Sequence, residues 1–302
     1  MTSPVAISLD VQWIHGVRRP KRETEPLLQV HQVDPDTYLI RQSKTATYEA
    51  PFLYLLFGED RAMLLDTGEI ADAALMPLRD IVDGLIASWL AAQPREGYEL
   101  VVAHTHSHGD HIAGDGQFAD RPLTTVVGTD ADSVRRFFGF EDWPGQVVTF
   151  DLGGRCLEVT GIPGHNAASI AIVDPRTGFL LTGDTVYPGR LYVEDMPAFV
   201  DSLERLVEIC DTRDVSYVMG CHIEMTTTPG RDYPVRTRYQ PDEPPLQMTP
   251  RQLRDVAVAA VTVKDKPGAH RFDDVIIFNG RCTSAMLLQA ARLLVARVTG
   301  WR

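Results

Sequence analysis

The chain has 302 residues, 44% of them hydrophobic, and a formal charge of −12, which suits one large buried core with appendages. That acidic balance argues against nucleic acid as a partner, because phosphate binding draws its affinity from Lys and Arg. Cys156, Cys210, Cys221 and Cys282 stand far apart with no Cys-x-x-Cys pair, which points away from a disulfide framework and toward reduced thiols in a cytoplasm.

Residues 1–29 read as a mixed, Pro-containing extension that packs on the core through Trp13 and Ile14. Arg18, Arg19, Lys21 and Arg22 are followed by no apolar leader segment, and no apolar run reaches membrane-spanning length, so no membrane partner is expected. From Val30 the pattern turns strand-like, at Thr37–Gln42, Phe52–Phe57 and Ala62–Leu65, with Gly58-Glu59-Asp60-Arg61 as a turn between the last two. Asp66-Thr67-Gly68 closes this meander. Ala71–Ala92 reads as one helix, with Leu75, Leu78, Val82, Leu85, Ile86, Trp89 and Leu90 at helical spacing on a buried face.

Strands at Leu100–Ala103 and Thr124–Val127 and a helix over Asp130–Phe138 follow. A second meander covers Gln146–Phe150, Cys156–Thr160, Ser169–Val173 and Phe179–Leu181, then a helix over Pro197–Cys210 and a buried strand at Val215–Met219. Residues 30–225 thus hold two halves with the same order of elements. Residues 226–302 read as an extension: a Pro-rich loop with Arg231, Arg236 and Arg238, a helix over Pro250–Val263, a strand at Val275–Phe278 and a helix over Ser284–Val298. Its expected task is packing or formation of a homodimer.

The chemistry concentrates just after Leu100–Ala103. His106-Ser107-His108-Gly109-Asp110-His111 fits His-x-His-x-Asp-His. Imidazole and carboxylate are the donors that zinc and related cations prefer, and such a loop can feed two positions at once. Downstream, His165, Asp184 and His222 each follow an apolar strand and stand within two residues of a glycine, so several strand ends can converge on one site. Shifting the motif back to His104 would put His108 where the aspartate must stand, so His104 is read as a strand-end residue. Cys221 adjoins His222 and is read as a core cysteine, since neighbouring strand residues point to opposite sides.

The order Asp66, His106-x-His108-x-Asp110-His111, His165, Asp184 and His222 resembles the metallo-β-lactamase superfamily. The resemblance implies an α/β fold, a four-layer αββα sandwich of two mixed β-sheets flanked by helices, here with a C-terminal α/β extension. It places His106, His108 and His165 on one metal and Asp110, His111 and His222 on the other, with Asp184 bridging and Asp66 orienting the loop. Two divalent ions are implied, zinc first, with manganese or iron as alternatives.

That ligand set predicts a hydrolase in which a metal-activated water attacks the acyl bond of a small molecule, a thioester, lactone or other ester. Asp110 would move the proton, and Tyr187 or Tyr192 would steady the oxyanion. Ile162–Ile170 and Thr182–Tyr187 resemble hydroxyacylglutathione hydrolases and lactonases, departing from them at Asn166-Ala167-Ala168. The competing expectations are an iron oxidoreductase of the persulfide dioxygenase type and a phosphodiesterase or β-lactamase.

Overall fold

The computed structural model describes residues 7–280 together with Gln289, Ala291 and Arg292. The helix expected over Ser284–Val298 lies outside the described residues, apart from those three helical positions. Six strands, β1 (Leu28–Asp34), β2 (Thr37–Gln42), β3 (Phe52–Phe57), β4 (Arg61–Leu65), β5 (Glu99–Ala103) and β6 (Thr124–Val126), form one sheet in sequential order. The pairs are antiparallel as far as β4 and parallel from there to β6. Helix α1 (Leu78–Ala92) crosses between β4 and β5 and covers the outer face. It begins at Leu78 and not at Ala71, because Pro77 restricts the residue before it and the preceding segment closes as a turn on Asp72 instead.

The second sheet runs β13-β12-β10-β9-β8-β7. Its members are β7 (Val147–Asp151), β8 (Cys156–Gly161), β9 (Ile170–Asp174), β10 (Phe179–Gly183), β12 (Tyr217–Gly220) and β13 (Gln247–Met248). Helices α4 (Met196–Thr212) and α5 (Pro250–Val263) cover its outer face, giving the expected four layers. Short helices α2 (Gly109–Ile112) and α3 (Ala131–Phe138) lie in the connections of the first half.

Three apolar layers hold the sandwich together. Tyr54, Leu56, Met63 and Val101 meet Leu157, Val159, Ile172 and Leu181 between the sheets. Leu53, Leu55 and Val102 face Val82, Ile86 and Trp89 of α1, while Ala171, Leu180 and Val218 face Phe199, Leu203, Leu253 and Val256. Every residue of β3 is buried, which is why its sequence is continuously apolar instead of alternating. A buried cation also ties the sheets: the Arg155 guanidinium donates to Asp174 Oδ2 and to the Asp36 carbonyl, both at 2.6 Å, and to Thr37 Oγ1 at 2.8 Å.

A third sheet, β11-β15-β14, joins β11 (Arg190–Val193) to β15 (Ile276–Asn279) in parallel and β14 (Gly268–Arg271) to β15 antiparallel. With β13 in the second sheet and α5 packed on α4, the chain after residue 225 shares the core of what precedes it. The expected division at 225 is therefore not a packing boundary, because the apolar face of α5 (Leu253, Val256, Ala260, Val263) is what covers this part of sheet two. No described helix is long and apolar enough to cross a membrane.

Candidate metal centre

Strands β5, β8, β10 and β12 all point their C-terminal ends to one edge of the sandwich, and the predicted donors follow them. His106 and His108 lie on the loop after β5, Asp110 and His111 on α2, His165 after β8, Asp184 directly after β10 and His222 after β12. Backbone bonds across the sheets hold these loops together: Ile170 N donates to Thr105 O at 2.9 Å and Phe52 N to Cys221 O at 2.8 Å. Gly183, at φ 52°, lets the Asp184 segment lie against Thr105; a Cβ there would come within 2.6 Å of the Thr105 Cβ.

The donors gather as two groups. In the first, His165 Nε2 lies 3.1 Å from His106 Nε2 and 3.0 Å from His108 Nδ1. In the second, His222 Nε2 lies 3.3 Å from Asp110 Oδ2 and 3.4 Å from Asp184 Oδ1, with His111 Nε2 at 3.5 and 3.6 Å from the same two carboxylates. Asp184 spans both groups, since its other oxygen faces His165 Nε2 at 4.0 Å.

The outer nitrogens of these rings fix which nitrogen looks inward. His111 Nδ1 pairs with Asp66 Oδ2 at 2.8 Å, His165 Nδ1 donates to the Tyr192 carbonyl at 2.7 Å, and His222 Nδ1 to the Glu49 carbonyl at 3.1 Å. Their Nε2 lone pairs therefore converge. Two imidazole lone pairs 3.1 Å apart repel each other unless a cation lies between them, and a tetrahedral zinc site sets its nitrogens about 3.3 Å apart. His111 Nε2 and Asp184 Oδ1 are also buried without a hydrogen-bond partner among the described residues. The residues thus fit a pair of divalent cations.

Charge is divided unevenly between the groups. Burial pushes His106 and His165 below the usual imidazole range. Burial acts the same way on His222, but Asp184 and Asp110 overcome it and raise the imidazole to about 9; Asp66 and Asp184 likewise raise His111. Burial disfavours the charge of Asp184 and Asp110 as well, yet His222 and His111 hold both carboxyls well below their ordinary range. Burial thus dominates at His106 and His165, whereas the neighbouring carboxylates dominate at His111 and His222.

Asp66 stands behind this array. It has φ 70°, and its carboxylate accepts from Thr105 N at 2.7 Å, Thr105 Oγ1 at 2.8 Å and Cys221 Sγ at 3.4 Å. Burial keeps the Cys221 thiol protonated, so it donates to Asp66 from within the core. His104 is turned to Asp115 at 2.8 Å and is no part of either group. Tyr187 departs from its expected role: it is buried, and its hydroxyl donates to the Arg190 carbonyl at 2.5 Å beside Glu224. Tyr192 is 38% exposed, with its ring against Phe278. Thr105 and the carbonyls of Glu49 and Tyr192 were not singled out from the sequence; a main-chain acceptor leaves no mark on residue identity.

Fold and donors together define an αββα sandwich with a candidate metal centre at its strand ends. Residues 48–222 match the profile of the metallo-beta-lactamase superfamily, and the chain belongs to that superfamily. A hydroxyacylglutathione hydrolase of Synechococcus sp. (strain JA-3-3Ab) is 31% identical over 193 residues, 59% of this chain and 71% of that enzyme. The acyl-coenzyme A thioesterase MBLAC2 of Homo sapiens is 30% identical over 212 residues, 56% of this chain and 72% of the thioesterase. Among solved structures, the DIM-1 metallo-beta-lactamase exposed to ceftazidime matches with a TM-score of 0.53 at 16% identity, over 80% of this chain and 100% of that one. That last likeness is one of fold alone.

Proposed function

We propose that the chain is a dinuclear, metal-dependent hydrolase that cleaves an acyl bond of a small molecule in the cytoplasm, a thioester ahead of a lactone or other ester. The observation that carries this reading is Asp184, whose two oxygens face two separate donor groups. Two divalent cations held there, zinc first, would supply Lewis acidity and a water acidified toward neutral pH. Preference for a thioester rests on the names of the hydroxyacylglutathione hydrolases and the acyl-coenzyme A thioesterase that the chain resembles.

The chain's own residues divide the remaining work. Asp110 is the most open of the three site carboxylates, its side chain 22% exposed against 9% for Asp184 and 0% for Asp66. It is therefore the group placed to take a proton from the attacking water and return it to the leaving group. Asp66, Glu49 and Tyr192 hold three imidazoles in one tautomer. With the Tyr187 hydroxyl turned to the Arg190 carbonyl, the phenol we assign to a developing oxyanion is that of the partly exposed Tyr192, whose hydroxyl also faces the Arg190 guanidinium.

Metal analysis of the purified protein, combined with hydrolysis assays on acyl thioesters, lactones, β-lactams and phosphodiesters, tests the reading. Two equivalents of zinc and turnover of a thioester are expected. A single iron with oxygen uptake on a persulfide, or cleavage confined to phosphodiesters, would overturn it.

A further inference from the structure

We propose that Arg190 is a positioning residue for the metal centre: its buried guanidinium, shared between Glu224 and Asp232, sets the spacing of His165 and His222. The inference rests on the metal-centre reading above and assigns a task to a cation that lies outside the ligand set.

Two backbone segments have to be held at a fixed separation for the centre to form. One is β11 with the two residues that follow it, which fixes His165 twice: the Tyr192 carbonyl accepts from its Nδ1 at 2.7 Å, and the amides of Glu194 and Asp195 donate to the carbonyl of neighbouring Gly164 at 2.8 and 2.9 Å. The other is the segment after β12, where Glu224 follows the ligand His222 by two residues. Arg190 is the first residue of β11, and it reaches Glu224 by both main chain and side chain. Its amide donates to Glu224 Oε2 at 2.8 Å, and its Nη2 forms an ion pair with Oε1. Glu224 N closes the loop on the Pro188 carbonyl at 2.9 Å.

The guanidinium is held from its far side as well. Its Nη1 donates to the Tyr233 carbonyl at 2.8 Å and to Asp232 Oδ2 at 3.3 Å, and Asp232 is in turn held by Arg271 and Arg292 at 2.8 and 2.7 Å. The Arg190, Glu224 and Asp232 side chains are 3%, 10% and 0% exposed. Packing leaves little slack: a Cβ on Gly189 would come within 2.1 Å of the Tyr187 ring and 2.9 Å of Glu224 Oε2. A planar fork that donates in three directions holds this arrangement, whereas a lysine would place a single ammonium there and lose the simultaneous contacts.

The test is a Co2+ titration of chelator-stripped protein, read by its visible absorption beside a thermal melt, for the parent, Arg190→Lys and Glu224→Gln. Both variants keep part of the charge pairing and are expected to fold, with a lowered melting temperature, and to bind Co2+ about 10–100-fold more weakly, the range typical of residues that support metal ligands. Dissociation constants within twofold of the parent in both variants would overturn the proposal. Loss of folding in both would also overturn it, in favour of a purely structural ion pair. A parent that takes up no Co2+ defeats the metal-centre reading itself, whereas a parent and variants that bind alike defeat only the role of Arg190.

Discussion

Asp66 and His111 are joined at 2.8 Å, Oδ2 to Nδ1, with both side chains fully out of solvent. This contact keeps the histidine's proton on Nδ1 and its Nε2 free for the centre, and it retains Asp66 in a left-handed conformation that few residues other than glycine adopt. Asp66→Asn preserves the shape and tolerates that backbone, but it loses the charge that favours the tautomer. We expect zinc affinity to fall about 10–100-fold, measured by competition with a chromogenic chelator. Unchanged affinity would show that the tautomer is set elsewhere.

Asp110→Asn separates binding from chemistry. With His111, His222 and Asp184 still in place, zinc is expected to bind with modest loss, while kcat on the best substrate falls about 10²–10⁴-fold, the range for a lost general acid or base. A fall in kcat that merely tracks lost metal would make Asp110 a ligand and nothing more.

Lys44 gives the fold a pH signature away from the ligands. It is 1% exposed and 3.7 Å from Glu243, and burial pushes its ammonium down to about 8 against the pull of that carboxylate. An unfolded lysine titrates near 10.4. Between those values the unfolded chain holds a proton that the folded chain has released, so stability rises with pH across this window, by up to about 3 kcal/mol. Urea midpoints of the parent and Lys44→Met at pH 7.5 and pH 10 should show the parent gaining on the variant. A difference that does not change with pH would mean that the lysine is solvated, and the opposite trend that the Glu243 ion pair outweighs burial.

Arg155 provides the control for stability without chemistry. Its guanidinium satisfies Asp174, Thr37 and two main-chain carbonyls between the sheets. Arg155→Met leaves Asp174 buried and uncompensated, at a cost of about 3–5 kcal/mol. Denaturant unfolding should show this loss, with zinc stoichiometry intact in the fraction that folds. A cost under about 1 kcal/mol would contradict the buried network.

The seven donors were legible in the sequence because each is a titratable side chain set beside an apolar strand, and the inner strands because burial on both faces leaves unbroken apolar runs such as Phe52–Phe57. Much of what supports them was not legible. Strand β11 places an arginine and a tyrosine among apolar residues, and its partner β15 lies far along the chain, so no local pattern announces it. The carbonyls of Glu49 and Tyr192 do the work of orienting rings, and any residue could supply them. The helix start at Leu78 turned on one proline, and the task of Tyr187 on the direction of a hydroxyl.

The pairing of β11 with β15 carries a consequence for biosynthesis. All seven donors have been synthesised by residue 222, yet the strand that seats His165 gains its neighbour only after Ile276–Asn279 has followed. Until then Tyr192 lies on a segment without a partner strand, because β15 is the one neighbour of β11 among the described strands, and pairings between segments so distant form slowly. A chain interrupted before β15 would carry every donor in its sequence but lack the partner strand of β11, whose Tyr192 carbonyl holds the His165 ring.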